Sequence, residues 1–309
     1  MNEGNNIENA WYEKPAVPGY RQFLILIGLV GAGFLLTLIV SLVMIVAHYG
    51  VASFGIMDTK TMPAWLANGL MVAQDVCMFG VPAIAFAKIV STQKDYFYLK
   101  GKSPVWLWLL VVLIAFSALP VSDLLGQITE WIPIPKNLTT YFKKMESAYN
   151  EEAIVLLNFK TFGSFIVSVF MIALLPAVFE ELIFRGALQQ ALLKWTGRAL
   201  PAIIISSIIF SAIHMSYYGF LPRAMLGVVL GLVYYYGKNI WLNMLIHFIN
   251  NATVVVALYV ASGNKPLTAS ILDENSSYSP WYLQLIGVAA LIAALMLFIR
   301  KSKLITHNS

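Results

Sequence analysis

Charge is what this sequence has least of. Only 11% of its 309 residues are Asp, Glu, Lys or Arg, against about 25% in a soluble domain. A solvating surface cannot be built from half the usual share, so a water-soluble globular enzyme is excluded and the outer surface must face lipid. Cysteine is nearly missing as well. The single thiol, Cys77, can form neither an internal disulfide nor a cysteine zinc cluster, and it says nothing about redox compartment. Histidine is sparse, with four residues in the whole chain. Internal repeats and low-complexity tracts are absent.

What the chain has instead is apolar length. Hydrophobic residues make up 59% of it, and the mean hydropathy is +0.75. A hydrocarbon core of ~30 Å is crossed by about 20 helical residues at ~1.5 Å each. Eight runs meet or approach that length, at residues 23–48, 64–90, 104–126, 164–194, 200–217, 222–237, 240–262 and 281–299. The expected fold is all-α: a polytopic membrane protein of about eight transmembrane helices enclosing a buried polar cavity. The first apolar run is too long for a signal-peptide core, so it is read as the first transmembrane helix, with no cleavable leader expected.

Basic residues orient such a chain. With the N-terminus inside, inner segments hold twelve Lys and Arg residues and outer segments seven. Both termini are therefore expected to be cytoplasmic, in the cell membrane if the source is bacterial. The net charge of +5 follows from this bias and does not point to nucleic acid. Four stretches are expected. Residues 1–22 form a cytoplasmic tail, and 23–163 hold three helices and an outer amphipathic loop that lies on the bilayer, caps a cavity or simply connects spans. Residues 164–262 form a four-helix catalytic core, and 263–309 hold an outer loop, the last helix and a basic tail.

The informative residues are the polar ones inside the spans. An Asp or Arg at a helix centre costs roughly 2.5–3.5 kcal/mol on insertion scales, so such groups are functional candidates by default. The stretch PAVFEELIFRGAL, residues 176–188, holds Glu180, Glu181 and Arg185. Glu181 and Arg185 are four apart and pair on one helix face. That accounts for two charges and leaves Glu180, which projects about 100° away, to find another partner. Pro176 cannot donate to the carbonyl of Ile172, and a kink is expected there.

Two histidines lie within apolar runs, His214 and His247. The fourth and fifth runs form a hairpin about Gly197, midway between 180 and 214, so Glu180 and His214 are expected at equal depth. A carboxylate beside an imidazole handles protons. Phe210 precedes His214 by one turn and is expected to pack beside it. In the seventh run Asn243, His247 and Asn251 recur every four residues, with Asn250 alongside, making one polar stripe on an oily helix. Such a stripe either bonds neighbouring helices or supplies donors to a developing negative charge. Asp75, with Asn68 seven residues earlier, has no partner visible in the sequence; a packing or hydrogen-bonding role is the expectation. Seventeen residues separate Glu180 from the Gly197 turn, whereas His247 lies near the turn at Lys238. The hairpin GALQQALLKWTGRALP, with its Gln and Lys residues, is therefore expected to project beyond the bilayer.

Three ordered patterns, Glu180-Glu181-x-x-Phe184-Arg185, Phe210-x-x-x-His214 and His247-x-x-x-Asn251, resemble the motifs of the type II CAAX prenyl endopeptidase family. The wider group is the CAAX protease and bacteriocin-processing (CPBP, or Abi) family. The resemblance spans about residues 165–260 and implies an intramembrane protease. It further implies that Glu180 and His214 activate a water, that His247 and Asn251 stabilise the oxyanion, and that Glu181 and Arg185 shape and charge-balance the site. The leading reading is a hydrolase of peptide bonds, a glutamate-type endopeptidase with no cofactor and no metal. Its partners would be the lipid bilayer and a membrane-associated peptide, either a lipid-modified C-terminus or a bacteriocin-like precursor. Two rivals stand beside it at this point. One is a zinc peptidase, since Glu and His are zinc ligands. The other is a non-catalytic scaffold or proton-coupled transporter, although no second copy of the polar half is present.

Overall fold

The structure, a computed structural model, describes residues 17–51, 62–91, 95–135, 137–146, 159, 161–262 and 279–307. Helices run at α1 (Gly19–Tyr49), α2 (Ala64–Val90), α3 (Val105–Trp131), α4 (137–146), α5 (Phe162–Thr196), α6 (Ala199–Ala212), α7 (Phe220–Gly237), α8 (Ile240–Val260) and α9 (Trp281–His307). No strand occurs among the described residues. Seven of these helices are long and apolar enough to cross a membrane, and α6, with 14 residues, is shorter. The chain is thus an integral, multi-pass membrane protein, and each of the eight runs legible in the sequence corresponds to one helix.

Local chemistry sets the helix ends. Pro63 and Pro104 precede α2 and α3, where a residue without an amide proton leaves no helical bond unmade. The Asn239 side chain accepts from Trp241 N and caps α8. The α5–α6 hairpin turns at Gly197, which adopts φ 67°, a left-handed conformation cheap for glycine. Phe184 and Phe210, each thirteen residues from that glycine, meet with ring centroids 5.1 Å apart. The hairpin register read from the sequence is therefore the one observed.

Three stretches depart from α geometry into the wider i→i+5 hydrogen-bonding of a π-helix: Gln74–Gly80 in α2, and Val169–Leu174 and Leu182–Gln189 in α5. Such turns carry an extra residue and concentrate at functional sites. The Val169–Leu174 stretch lies directly ahead of Pro176, where the sequence predicts a kink, so the missing proline amide is absorbed by widening the helix.

Two apolar clusters flank the middle of the bundle. One gathers side chains of α1, α2, α5, α6, α7 and α8, including Phe86, Ile183, Phe184 and Tyr234. The other gathers α3, α7, α8 and α9 around Ile114, Leu230, Leu242 and Phe298. Helices α7 and α8 contribute to both and join them. The segment 95–103 fastens one end of the bundle. Asp95 accepts from Leu99 N and Lys100 N, and the Phe97 ring lies over Gly186, where a Cβ would collide with it. Leu99 O accepts from Trp241 Nε1, and Gly101 O from Asn239 Nδ2.

Within the hairpin, the amides of Gln189 and Gln190 are enclosed by protein: Gln189 donates to Gly231 O, and Gln190 donates to Tyr96 O and to the Tyr234 hydroxyl. Both amides are buried because neighbouring helices supply their partners. Of the amphipathic segment between α3 and α5, residues 137–146 are helical; 147–158 lie outside the described residues, as do 263–278.

Candidate active site

The site assembles from α5, α6, α7 and α8. Glu180 and Glu181 end the α-helical turn that begins at Leu175, and the π-type stretch begins one residue later. Both are buried, as is Arg185, whose side chain is among the largest fully enclosed ones in the protein. Arg185 Nε lies 3.4 Å from Glu181 Oε2, so the pair predicted from i,i+4 spacing forms. Its guanidinium also sits over the Phe210 ring, 5.1 Å from the centroid, a cation–π contact in a dry setting.

His247 ties α8 to this acidic pair. Its Nδ1 is 3.0 Å from Glu181 Oε1, and its Nε2 is 3.7 Å from Glu180 Oε2. One imidazole therefore stands between two carboxylates, while Arg185 holds the far oxygen of one of them. With Nδ1 engaged by Glu181, Nε2 is the ring nitrogen that faces Glu180. Phe210 packs edge-on against His247, at 5.8 Å between centroids, and against His214, at 5.1 Å. It is the wall between the two histidines.

His214 differs from its expected setting. Helix α6 stops at Ala212, and His214 falls in a turn that runs to Gly219. The apolar residues around it concealed the end of the helix. Met215 takes a left-handed φ of 52°, and Ser216 Oγ accepts from Gly219 N, closing the turn. His214 Nδ1 is 2.8 Å from Phe210 O, which fixes the ring against the last turn of α6. The turn is covered by α4: Phe142 stacks on Tyr217 with centroids 4.8 Å apart, and Ser216 donates to Glu146.

The asparagine stripe divides. Asn243 donates to Leu230 O at 2.6 Å and so joins α8 to α7. Asn251 Nδ2 lies 3.5 Å from Ile172 O, the carbonyl that Pro176 cannot serve as a helical donor. Asn250 donates to Asn251 Oδ1 at 3.4 Å.

One charged residue lies beside the site that sequence reasoning did not place there. Arg223 sits in the first turn of α7 against the turn that holds His214, where a Cβ on Gly219 would collide with its guanidinium. A signal for it existed. A helix N-terminus disfavours cations, so an arginine there calls for an anionic neighbour. Asp75 is buried on α2, and its Oδ2 makes no hydrogen bond among the described residues.

Fold and site together define a membrane protein with a buried Glu–His–Glu arrangement inside a helical bundle. Residues 162–253 match the family model described as type II CAAX prenyl endopeptidase, Rce1-like. No curated protein and no solved structure matches the chain. The match supports a CAAX-type membrane endopeptidase, a hydrolase of peptide bonds acting on a membrane-embedded peptide.

Proposed function

We propose that this protein cleaves membrane peptides with a water activated by Glu180 and His214, without a metal. The observation that carries the reading is His247 held between Glu180 and Glu181, at 3.7 and 3.0 Å, next to a second histidine behind one shared aromatic wall. A packing role needs only one neutralised carboxylate. Two carboxylates, a histidine and an arginine, all buried, are too costly to keep in a bundle interior for packing alone.

In this reading Glu180 or His214 takes a proton from water as its oxygen bonds to the scissile carbonyl carbon. The electron pair of the carbonyl moves onto oxygen, where His247 Nε2 and the Asn251 amide donate to the oxyanion. A good donor of this kind contributes about 2.7–4 kcal/mol in other enzymes. The carbon–nitrogen bond then breaks as the amine receives the proton taken from water. Glu181 fixes the His247 ring through Nδ1, and Arg185 balances the charge of Glu181. Positive-inside bias favours cytoplasmic termini, which would put the His214 turn and its α4 cover on the outer side.

Glu180→Gln is isosteric and removes the base. Membranes from cells lacking the protein, complemented with wild type or with the variant, are compared for peptides of substrate size. The expected outcome is a peptide that wild type converts and Glu180→Gln leaves uncut, with both proteins equally folded in the membrane. Turnover by the variant at the wild-type rate refutes the assignment.

A further inference from the structure

Helix α4 has two apolar edges, and only one of them rests on protein. Around its axis Leu138, Tyr141, Phe142 and Met145 fall within an arc of about 100°. Asn137, Thr140, Lys143 and Lys144 lie opposite and are exposed. At one edge of the arc Phe142 stacks on Tyr217, and Glu146 accepts from Ser216 just beyond it. The other edge is open: Leu138 is exposed, and Tyr141 is 53% exposed.

The place of the helix in the fold determines what meets that edge. Helix α3 turns Leu109, Leu113 and Phe116 outward along its length and ends at Trp131, which is 74% exposed. Ile132 follows, also exposed, and Leu138 N and Thr139 Oγ1 both donate to Pro135 O, tying α4 to this connection. A helix fastened to the end of α3 and to the turn between α6 and α7 lies where spans leave the bilayer. Tryptophan and tyrosine favour that level. A helix with an apolar arc and lysines on its opposite face lies there in the plane of the membrane, its apolar side sunk below the headgroups. Lys143 and Lys144 are then placed to reach lipid phosphates.

The two edges are joined. The Tyr141 ring meets the Phe142 ring edge-on, with centroids 5.8 Å apart, and Phe142 passes the contact to Tyr217, three residues from His214.

We infer that α4 docks on the lipid surface through Leu138 and Tyr141, together with Trp131 and Ile132, and that this contact holds Phe142 on the turn bearing His214. The lipid contact is independent of the endopeptidase reading; its effect on turnover rests on that reading.

The test uses the full chain with Cys77→Ala, in vesicles of mixed phosphatidylcholine and phosphatidylglycerol. A nitroxide is attached singly through Leu138→Cys, Thr140→Cys, Tyr141→Cys or Lys144→Cys, all at exposed positions. Labels at 138 and 141 are expected to collide more with oxygen, which partitions into hydrocarbon, than with a water-soluble nickel chelate. Labels at 140 and 144 show the reverse. Nickel preference at all four positions overturns the inference. Shielding of 138 and 141 from both reagents also overturns it, in favour of a protein partner such as a second copy of this chain.

Turnover is compared in the same vesicles for wild type, Tyr141→Phe and the double variant Leu138→Ser with Tyr141→Ser. The double variant is expected to lose at least about tenfold, as a misplaced catalytic turn would, at an unchanged unfolding temperature. Tyr141→Phe keeps the apolar ring and the rate. An undiminished rate in the double variant overturns the link to His214 and leaves the endopeptidase reading standing. If the wild type cleaves no peptide, that reading fails, and the link is read from a nitroxide attached through Met215→Cys. Its motion is expected to increase in the double variant, and an unchanged line shape overturns the link.

Discussion

Removing Arg185 alone should be among the most damaging single changes in this protein. Its pairing atom and that of Glu181 are 3.4 Å apart, and neither side chain reaches the surface. At an effective dielectric of about 20 that separation corresponds to roughly 5 kcal/mol of attraction. Part of it offsets desolvation, but loss of one partner leaves the other charge buried, which costs about 3–5 kcal/mol. His247 still holds the opposite oxygen of Glu181 at 3.0 Å, so the lower half of the range is expected. Arg185→Met retains most of the apolar stem that packs near Phe210, which restricts the measured loss mainly to charge. Unfolding in mixed micelles would be followed for Arg185→Met, Glu181→Gln and the double variant. We expect each single change to cost about 3 kcal/mol and the double variant to cost at least about 1 kcal/mol less than their sum. High salt should leave the coupling unchanged, because screening does not reach a buried pair. Additive losses, or a cost below about 1 kcal/mol for Arg185→Met, would refute the reasoning.

Three further outcomes are expected. Gly80→Ala places a methyl group 2.7 Å from the Phe179 ring edge and shifts the residue next to Glu180. Because small misplacements near the chemistry cost on the order of 100-fold, turnover should fall far more than the unfolding temperature. Gln190→Leu leaves the Tyr96 carbonyl and the Tyr234 hydroxyl without a donor they now share and should destabilise the protein by about 1–3 kcal/mol. Its cleavage chemistry should be intact at low temperature. Treatment of the purified protein with a strong chelator should leave peptide cleavage unchanged, whereas loss of activity restored by zinc would favour the metallopeptidase alternative.

Much of this architecture was legible because lipid imposes a simple rule. Every spanning segment must be apolar and helical, so hydropathy alone located the eight apolar helices, with the fifth and sixth runs, α6 and α7, already the short ones. The Glu181–Arg185 pair followed from helical periodicity, and the Gly197 turn from the residues around it. What could not be read was long-range or set by fine backbone geometry. His214 looked like a mid-helix residue because Ile213, Met215 and Tyr217 continue the apolar run; Ser216 and Gly219 were the only hints of a turn. Gln189 and Gln190 looked like surface residues because the groups that satisfy them lie far away in sequence, Tyr96 at 94 residues' separation and Tyr234 at 44. The contact of His247 with Glu181 joins α8 to α5 across 66 residues, and no periodicity announces it.

The wide turn at Leu182–Gln189 sets a limit on how this chain can be shortened. A π-type stretch holds one residue more than an α-helix of the same rise, so removing one residue there would relax the backbone into an ordinary and intrinsically better helix. The same deletion would leave the residues after it in phase with those before it, whereas a residue removed from the α-helical turn Leu175–Glu181 would swing everything after it by roughly 100° about the axis. Gln189 and Gln190 would then lose Gly231, Tyr96 and Tyr234. Single-residue deletions scanned along α5 should therefore be best tolerated in the very segment whose hydrogen bonding is least regular.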